Sequence, residues 1–138
     1  MTHKTLLASL CLLLVAALSA SMAADEGLPP LKEVSAKPKA NVFKTAKRKK
    51  PIVLKSEDDA AKYFGDAELA KLKKAVDFKK QFVLVFAWRG SGQDKLNTAV
   101  LESFPEQIVF SIRPGRTRDL RPHVHVFALR ANVRWSVK

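Results

Sequence analysis

Cysteine is nearly missing from this chain: Cys11 is the only one, and it lies inside an apolar run near the N-terminus. A disulfide framework is therefore excluded. Glycine is also scarce, with five in 138 residues. The one close pair, in Gly90-Ser91-Gly92, offers neither the third glycine and opening helix of a dinucleotide fingerprint nor the Gly-x-Ser-x-Gly of a nucleophile elbow. Acidic residues number 13 against 25 lysines and arginines. No internal repeat is visible, and the longest apolar run, Leu6 to Leu18, is too short for a comfortable transmembrane helix and lacks cytoplasmic-type flanking charges.

What is present at the N-terminus reads as an export signal over residues 1–23. His3 and Lys4 give a short polar, basic start, the apolar run follows, and Ser21 and Ala23 stand two apart as a signal peptidase requires. Cleavage before Ala24 is the first choice and cleavage after Ala20 the second. The product is expected in the periplasm or outside the cell. Removing the first 23 residues leaves 115, enough for one small domain, and takes Cys11 away. Stability must then come from an ordinary apolar core. A lipid-anchor reading of Cys11 fails, because Leu10 precedes it where a small residue is wanted.

The formal net charge is +12, and it is unevenly placed. Residues 24–50 hold eight basic and three acidic side chains, and Arg113 to Lys138 holds seven basic residues against Asp119 alone. The stretch between is close to neutral. Two basic zones flanking a balanced middle predict a surface for an acidic protein, an anionic envelope polymer or lipid headgroups. Nucleic acid is the usual partner of such charge, but export makes it a poor fit.

Residues 24–50 read as a basic, disordered or extended tail: Pro29, Pro30 and Pro38 restrict it, and its apolar residues show no sustained period. The run Lys47-Arg48-Lys49-Lys50, ending at Pro51, predicts a domain boundary and reads first as a solvated linker, with a processing site, a polyanion contact or a peripheral contact with an anionic membrane surface as the alternatives. A single domain is expected over 51–138. It opens with a short strand at Ile52-Val53-Leu54. Ser56, with Asp59 three residues on, predicts a helix N-cap, with the helix running to about Phe64 and a left-handed C-cap at Gly65. Asp66 is expected to cap a second helix carrying Leu69, Leu72 and Val76 on one face.

From Phe82 to Trp88 both alternating faces are apolar, which predicts a central strand buried on both sides. Weaker strands are expected at Leu96 to Leu101 and Gln107 to Ile112. Pro114-Gly115 suits a type II turn, Val124 to Leu129 another strand, and Ala131-Asn132 a two-residue hairpin turn. Val133, Trp135 and Val137 alternate with Arg134, Ser136 and Lys138 as in an edge strand. The expected fold class is α+β: one or two N-terminal helices packed on a mostly antiparallel sheet of four to five strands.

Three constellations are candidates for chemistry. The loop Arg89 to Asp94 could form a backbone anion nest beside a guanidinium, or only a tight connection that needs its glycines. His123 and His125 share one side of a strand and could share a metal, but zinc wants three or four ligands. The remaining candidates are carboxylates such as Asp94, Glu102, Glu106 and Asp119, with no motif spacing to nominate one. No cofactor-binding pattern and no catalytic motif is present. The loop from Arg113 to Pro122 is the most suggestive. Arg113, Arg116, Arg118 and Arg121 offer planar forks for carboxylate or phosphate on a proline-stiffened segment, unless Asp119 is held by Arg116 or Arg121 within the loop itself.

The stretch from Asp77-Phe78 through Phe82-Val83-Leu84-Val85-Phe86-Ala87-Trp88-Arg89-Gly90-Ser91-Gly92 to Leu96, with Gly115 to Val126, resembles a group of small exported bacterial proteins of unknown function. The resemblance covers roughly the last 85 residues. More distantly, Asp-Phe opening onto an apolar strand, then Gly-x-Gly, then a late strand after a proline is similar to the C-terminal domain of the protease-stabilising subunit PrcB. That resemblance implies a protein-binding module. The residues and the resemblance together predict a non-enzymatic, exported binding domain with a basic face centred on Arg113, Arg116, Arg118 and Arg121, with Arg89 contributing. The alternative is a metal-binding protein or enzyme using His123 and His125.

Overall fold

The computed structural model describes residues 27–138. The expected signal peptide, with Cys11, lies outside the described residues. The fold is α+β. Its elements run β1 (Leu31–Glu33), α1 (Val42–Thr45), β2 (Ile52–Leu54), α2 (Glu57–Ala61), α3 (Asp66–Ala75), β3 (Gln81–Gly90), β4 (Lys95–Leu101), β5 (Gln107–Arg113), β6 (Arg121–Arg130) and β7 (Arg134–Val137). Among the described residues, no helix is long and apolar enough to cross a membrane.

β3 is central because its residues are apolar on both faces, and the structure uses both. Ten residue pairs join it antiparallel to β6, from Gln81↔Arg130 to Gly90↔Arg121, and its other edge takes β2. The first sheet has the order β1-β6-β3-β2 and the second β4-β5-β7. Val83, Val85 and Ala87 face the helices, where they meet Val42, Ala60, Phe64, Leu72 and Val76. Leu84, Phe86 and Trp88 face the second sheet and pack with Ile108, Phe110, Phe127, Leu129 and Val133. The strand period of two thus divides one sequence between two apolar layers.

The N-terminal segment corrects the expected domain boundary. Residues 31–50 are not a disordered tail: β1 pairs with β6 through Leu31↔Leu129, and Val34, Ala36, Val42 and Ala46 are buried in the helix-side core. Each is anchored separately, in strand, coil or a single helical turn, so no period appears along the sequence. The domain therefore begins near Leu31 rather than at residue 51.

Local signals are mixed in outcome. Ser56 caps α2 as expected, its Oγ accepting from the Asp59 N–H at 3.2 Å. Gly65 does not end that helix in a left-handed conformation: it has φ −72° and is the N-cap of α3, with Asp66 in the first turn. Leu72 and Val76 are buried as the spacing requires. Pro114-Gly115 is not a type II turn, because no glycine among the described residues has positive φ. The helices pack on a four-stranded antiparallel sheet as expected, but a second, three-stranded sheet covers its other face, and β6 and β7 do not form a hairpin. β7 pairs parallel with β5, from Gln107↔Arg134 to Phe110↔Val137. Both edges of β6 are already taken by β1 and β3, so β7 crosses to the second sheet.

Candidate functional site

The site forms where β3 turns into β4 and where β5 leads into β6. Two loops meet there residue by residue. Ser91 Oγ lies 2.5 Å from Thr117 Oγ1, the Gly92 N–H donates to Asp119 Oδ1 at 3.0 Å, the Arg116 N–H donates to Gln93 Oε1 at 3.3 Å, and the Gly115 N–H donates to Asp94 Oδ1 at 2.7 Å. Glycine is needed at 115 for approach rather than for φ, since a Cβ there would collide with Gln93 and Ser91.

Asp94 is the centre of this clasp. It is one of two buried polar residues, with Gln81, among those described. While Oδ1 takes Gly115, Oδ2 accepts from the Trp88 indole N–H at 3.0 Å and is approached by Arg48 at 3.5 Å. The Gly115 N–H, followed by Trp88 and Arg48, holds its carboxyl below the usual aspartate range, although burial pulls the other way. Arg48 stands in a tight turn closed by reciprocal Lys47–Lys50 backbone hydrogen bonds of 3.0 and 2.9 Å. The two basic zones of the sequence therefore meet in space at one carboxylate. Nothing in the spacing of Arg48 and Asp94 signals this, since the contact depends on β2 lying beside β3.

The predicted anion nest is already filled. The Gly92 N–H gives its hydrogen bond to Asp119, and those of Gln93 and Asp94 go to Ser91 oxygens at 3.2 and 2.9 Å. Asp119 is in turn held by Arg121 at 3.0 Å, and the Thr117 hydroxyl, the Gly92 N–H and Arg121 push its carboxyl far below the ordinary range. So the internal reading of the loop holds for Arg121. Arg89 also stands apart, on the helix side, with its guanidinium 4.9 Å from the centre of the Phe43 ring.

The other cations are different. Lys95 and Arg113 are direct cross-strand neighbours on β4 and β5, and with Arg116, Gly92, Gln93, Pro114 and Gly115 they line an open cleft of about 770 Å³. Arg118 is exposed nearby on the same loop. Among the described residues, no hydrogen bond or ion pair involves the side chains of Lys95, Arg113, Arg116 or Arg118. Lys95 was not foreseen as a site residue. Its only signal is the β4–β5 register, which sequence spacing does not fix.

His123 and His125 share a face, but against Trp88 rather than around a common point. Their rings stack on the indole at 4.9 and 5.7 Å between centroids. His123 Nε2 lies 2.7 Å from the Ser91 carbonyl oxygen, and His125 Nδ1 lies 3.7 Å from Glu33 Oε1. The Ser91 hydroxyl faces Thr117, so serine and histidine do not form a nucleophile and base pair here. Of the remaining carboxylates, Glu106 binds Arg130 and Glu102 is exposed. Among the described residues, no group of three His, Cys, Asp or Glu side chains could hold a metal ion.

Comparison with family models, curated proteins and solved structures finds no match for this chain.

Proposed function

We propose that the protein is an exported, non-enzymatic binding domain that takes an acidic protein or anionic envelope polymer in the cleft formed by Lys95, Arg113 and Arg116, with Arg118 beside it. The observation that carries this reading is the Lys95↔Arg113 pair. Like charges directly opposite on adjacent strands are destabilising, and here no acid among the described residues pairs with them. An external carboxylate or phosphate supplies the missing counter-charge, and the two guanidinium groups can accept it bidentately. The Asp94 and Asp119 bonds fix the loops that carry these cations, so little ordering is left for binding to impose. The Lys47–Lys50 turn, joined to the clasp by Arg48, extends the basic face.

Titration of the protein with poly-glutamate at rising salt tests this. Affinity should fall as ionic strength increases, and Arg113→Glu combined with Arg116→Glu should weaken it by at least about tenfold. Binding that is indifferent to salt, or untouched by the double variant, removes the electrostatic premise.

A further inference from the structure

Among the described residues β4 is hydrogen-bonded to β5 alone and forms an outer edge of its sheet. Six of its seven residues are exposed, and only Leu96 is partly covered. An open strand edge presents a row of unpaired backbone N–H and C=O groups, and proteins usually blunt it with proline, a bulge or charges along its length. β4 has none of these in its interior. Its register to β5 is unbroken from Lys95↔Arg113 to Leu101↔Gln107, it contains no proline, and its single charge is Lys95 at the start.

The edge is also chemically polar from end to end. Beside Lys95 lies the cleft with Arg113 and Arg116. At the far end Val100 is 43% exposed, Leu101 47% and Phe104 fully so. We propose that β4 captures an extended segment of a partner protein as an added strand. The acidic side chains of that segment sit against Lys95, Arg113 and Arg116, and at the other end apolar side chains rest on Leu101, on the face of Lys95, and on Val100, on the opposite face, with exposed Phe104 just beyond. The cationic half of this inference rests on the function proposed above, while the backbone half does not.

Charge complementarity selects the occupant. A second copy of this chain brings a formal net charge of +12 and a β4 without an acidic residue to meet Lys95. A polymer lacking peptide groups could fill the cleft but not the edge. An acidic extended peptide satisfies both, with backbone hydrogen bonds giving affinity and alternate side chains giving selectivity.

The test is selection from a library of peptides about as long as β4, each with an acidic pair at one end and degenerate positions elsewhere. The selected peptides are then remade with alternate backbone nitrogens methylated, which removes the donors of one edge and keeps every side chain. Poly-glutamate binding is measured in parallel. Strand addition predicts enrichment, loss of at least about tenfold in affinity on methylation, and new amide protection confined to alternate residues of β4. Methylated peptides that bind as well as their parents overturn strand addition, and so does an absence of enriched peptides while poly-glutamate still binds; either result leaves the anion-binding function standing. If neither peptides nor poly-glutamate bind, both readings fall. A dimer joined through β4 in the protein alone would replace the partner by a second copy.

Discussion

β5 has an arginine-bearing corner at each end, and the two have opposite fates. Where it begins, the Arg130 guanidinium donates to Glu106 at 2.5 Å, to Asn132 Oδ1 at 2.8 Å and to the Leu28 carbonyl at 3.0 Å. That side chain is only 13% exposed. Where β5 ends, Arg113 faces Lys95 across the ladder, and no acid among the described residues answers either of them. The residue type is the same at both corners, although Arg130 belongs to β6 and Arg113 to β5. An arginine supplied with its acceptors is part of the framework, and one left without them is available to a ligand. The total charge of the chain distinguishes neither.

The largest way to break this comparison is to remove the buried acid that holds the cationic corner together. Asp94→Ala leaves the Gly115 N–H and the Trp88 indole N–H without their acceptor, and should cost about 3 kcal/mol in denaturant unfolding at neutral pH. The pH dependence carries the same signature. The folded carboxyl titrates below its unfolded value, so its contribution is complete above the unfolded pKa and disappears as pH falls through the folded one. The difference between wild type and variant should therefore shrink below about pH 4, and a constant difference down to strong acid would show that the charge of Asp94 is immaterial.

A smaller effect sharpens the comparison from its other side. Arg130→Met should lower the thermal midpoint, because it strips Glu106, Asn132 and the Leu28 carbonyl of one shared donor, while leaving poly-glutamate affinity unchanged. Arg113→Glu with Arg116→Glu should do the reverse: anion affinity falls while stability is kept or rises by up to about 1 kcal/mol, because Arg113→Glu also places opposite charges across the β4–β5 ladder. If both variants lost binding and stability together, the division of arginines into two kinds would be wrong. The smallest effect is that of Lys95→Glu, which places opposite charges across the β4–β5 ladder. It should gain up to about 1 kcal/mol in unfolding while weakening anion binding.

The elements that were legible in the sequence are those whose burial follows a regular period. β3 shows on both faces that it is central, the edge alternation of Val133, Trp135 and Val137 matches β7, and the Ser56 cap is local chemistry visible in four residues. The segment from Leu31 to Lys50 was illegible because its buried residues answer to separate pockets of the core rather than to one helix or strand face. The partner of β7 was illegible because a short connection favours a hairpin only when the preceding strand has a free edge, and β6 has none. At the candidate site, Arg113 and Arg116 could be nominated from loop composition alone. Their separation from Arg89 and Arg121 could not, since it depends on which cation finds an acid or a ring after folding. Lys95 enters only through strand register, and the pairing of Arg48 with Asp94 only through the folded arrangement of its turn.

The placement of β6 between β1 and β3 governs the order in which the chain can acquire its structure. Among the described residues β1 has no strand but β6 to pair with, so it stays without a ladder until Arg121–Arg130 has been made. Closing that long loop is entropically expensive and slows the approach to the native state. A nascent chain lacking its last two strands holds β3 with one edge open and the Leu84, Phe86 and Trp88 face incompletely covered. In such a chain both β1 and one edge of β3 lack their ladder, and the docking of Arg121–Arg130 between them supplies both at once.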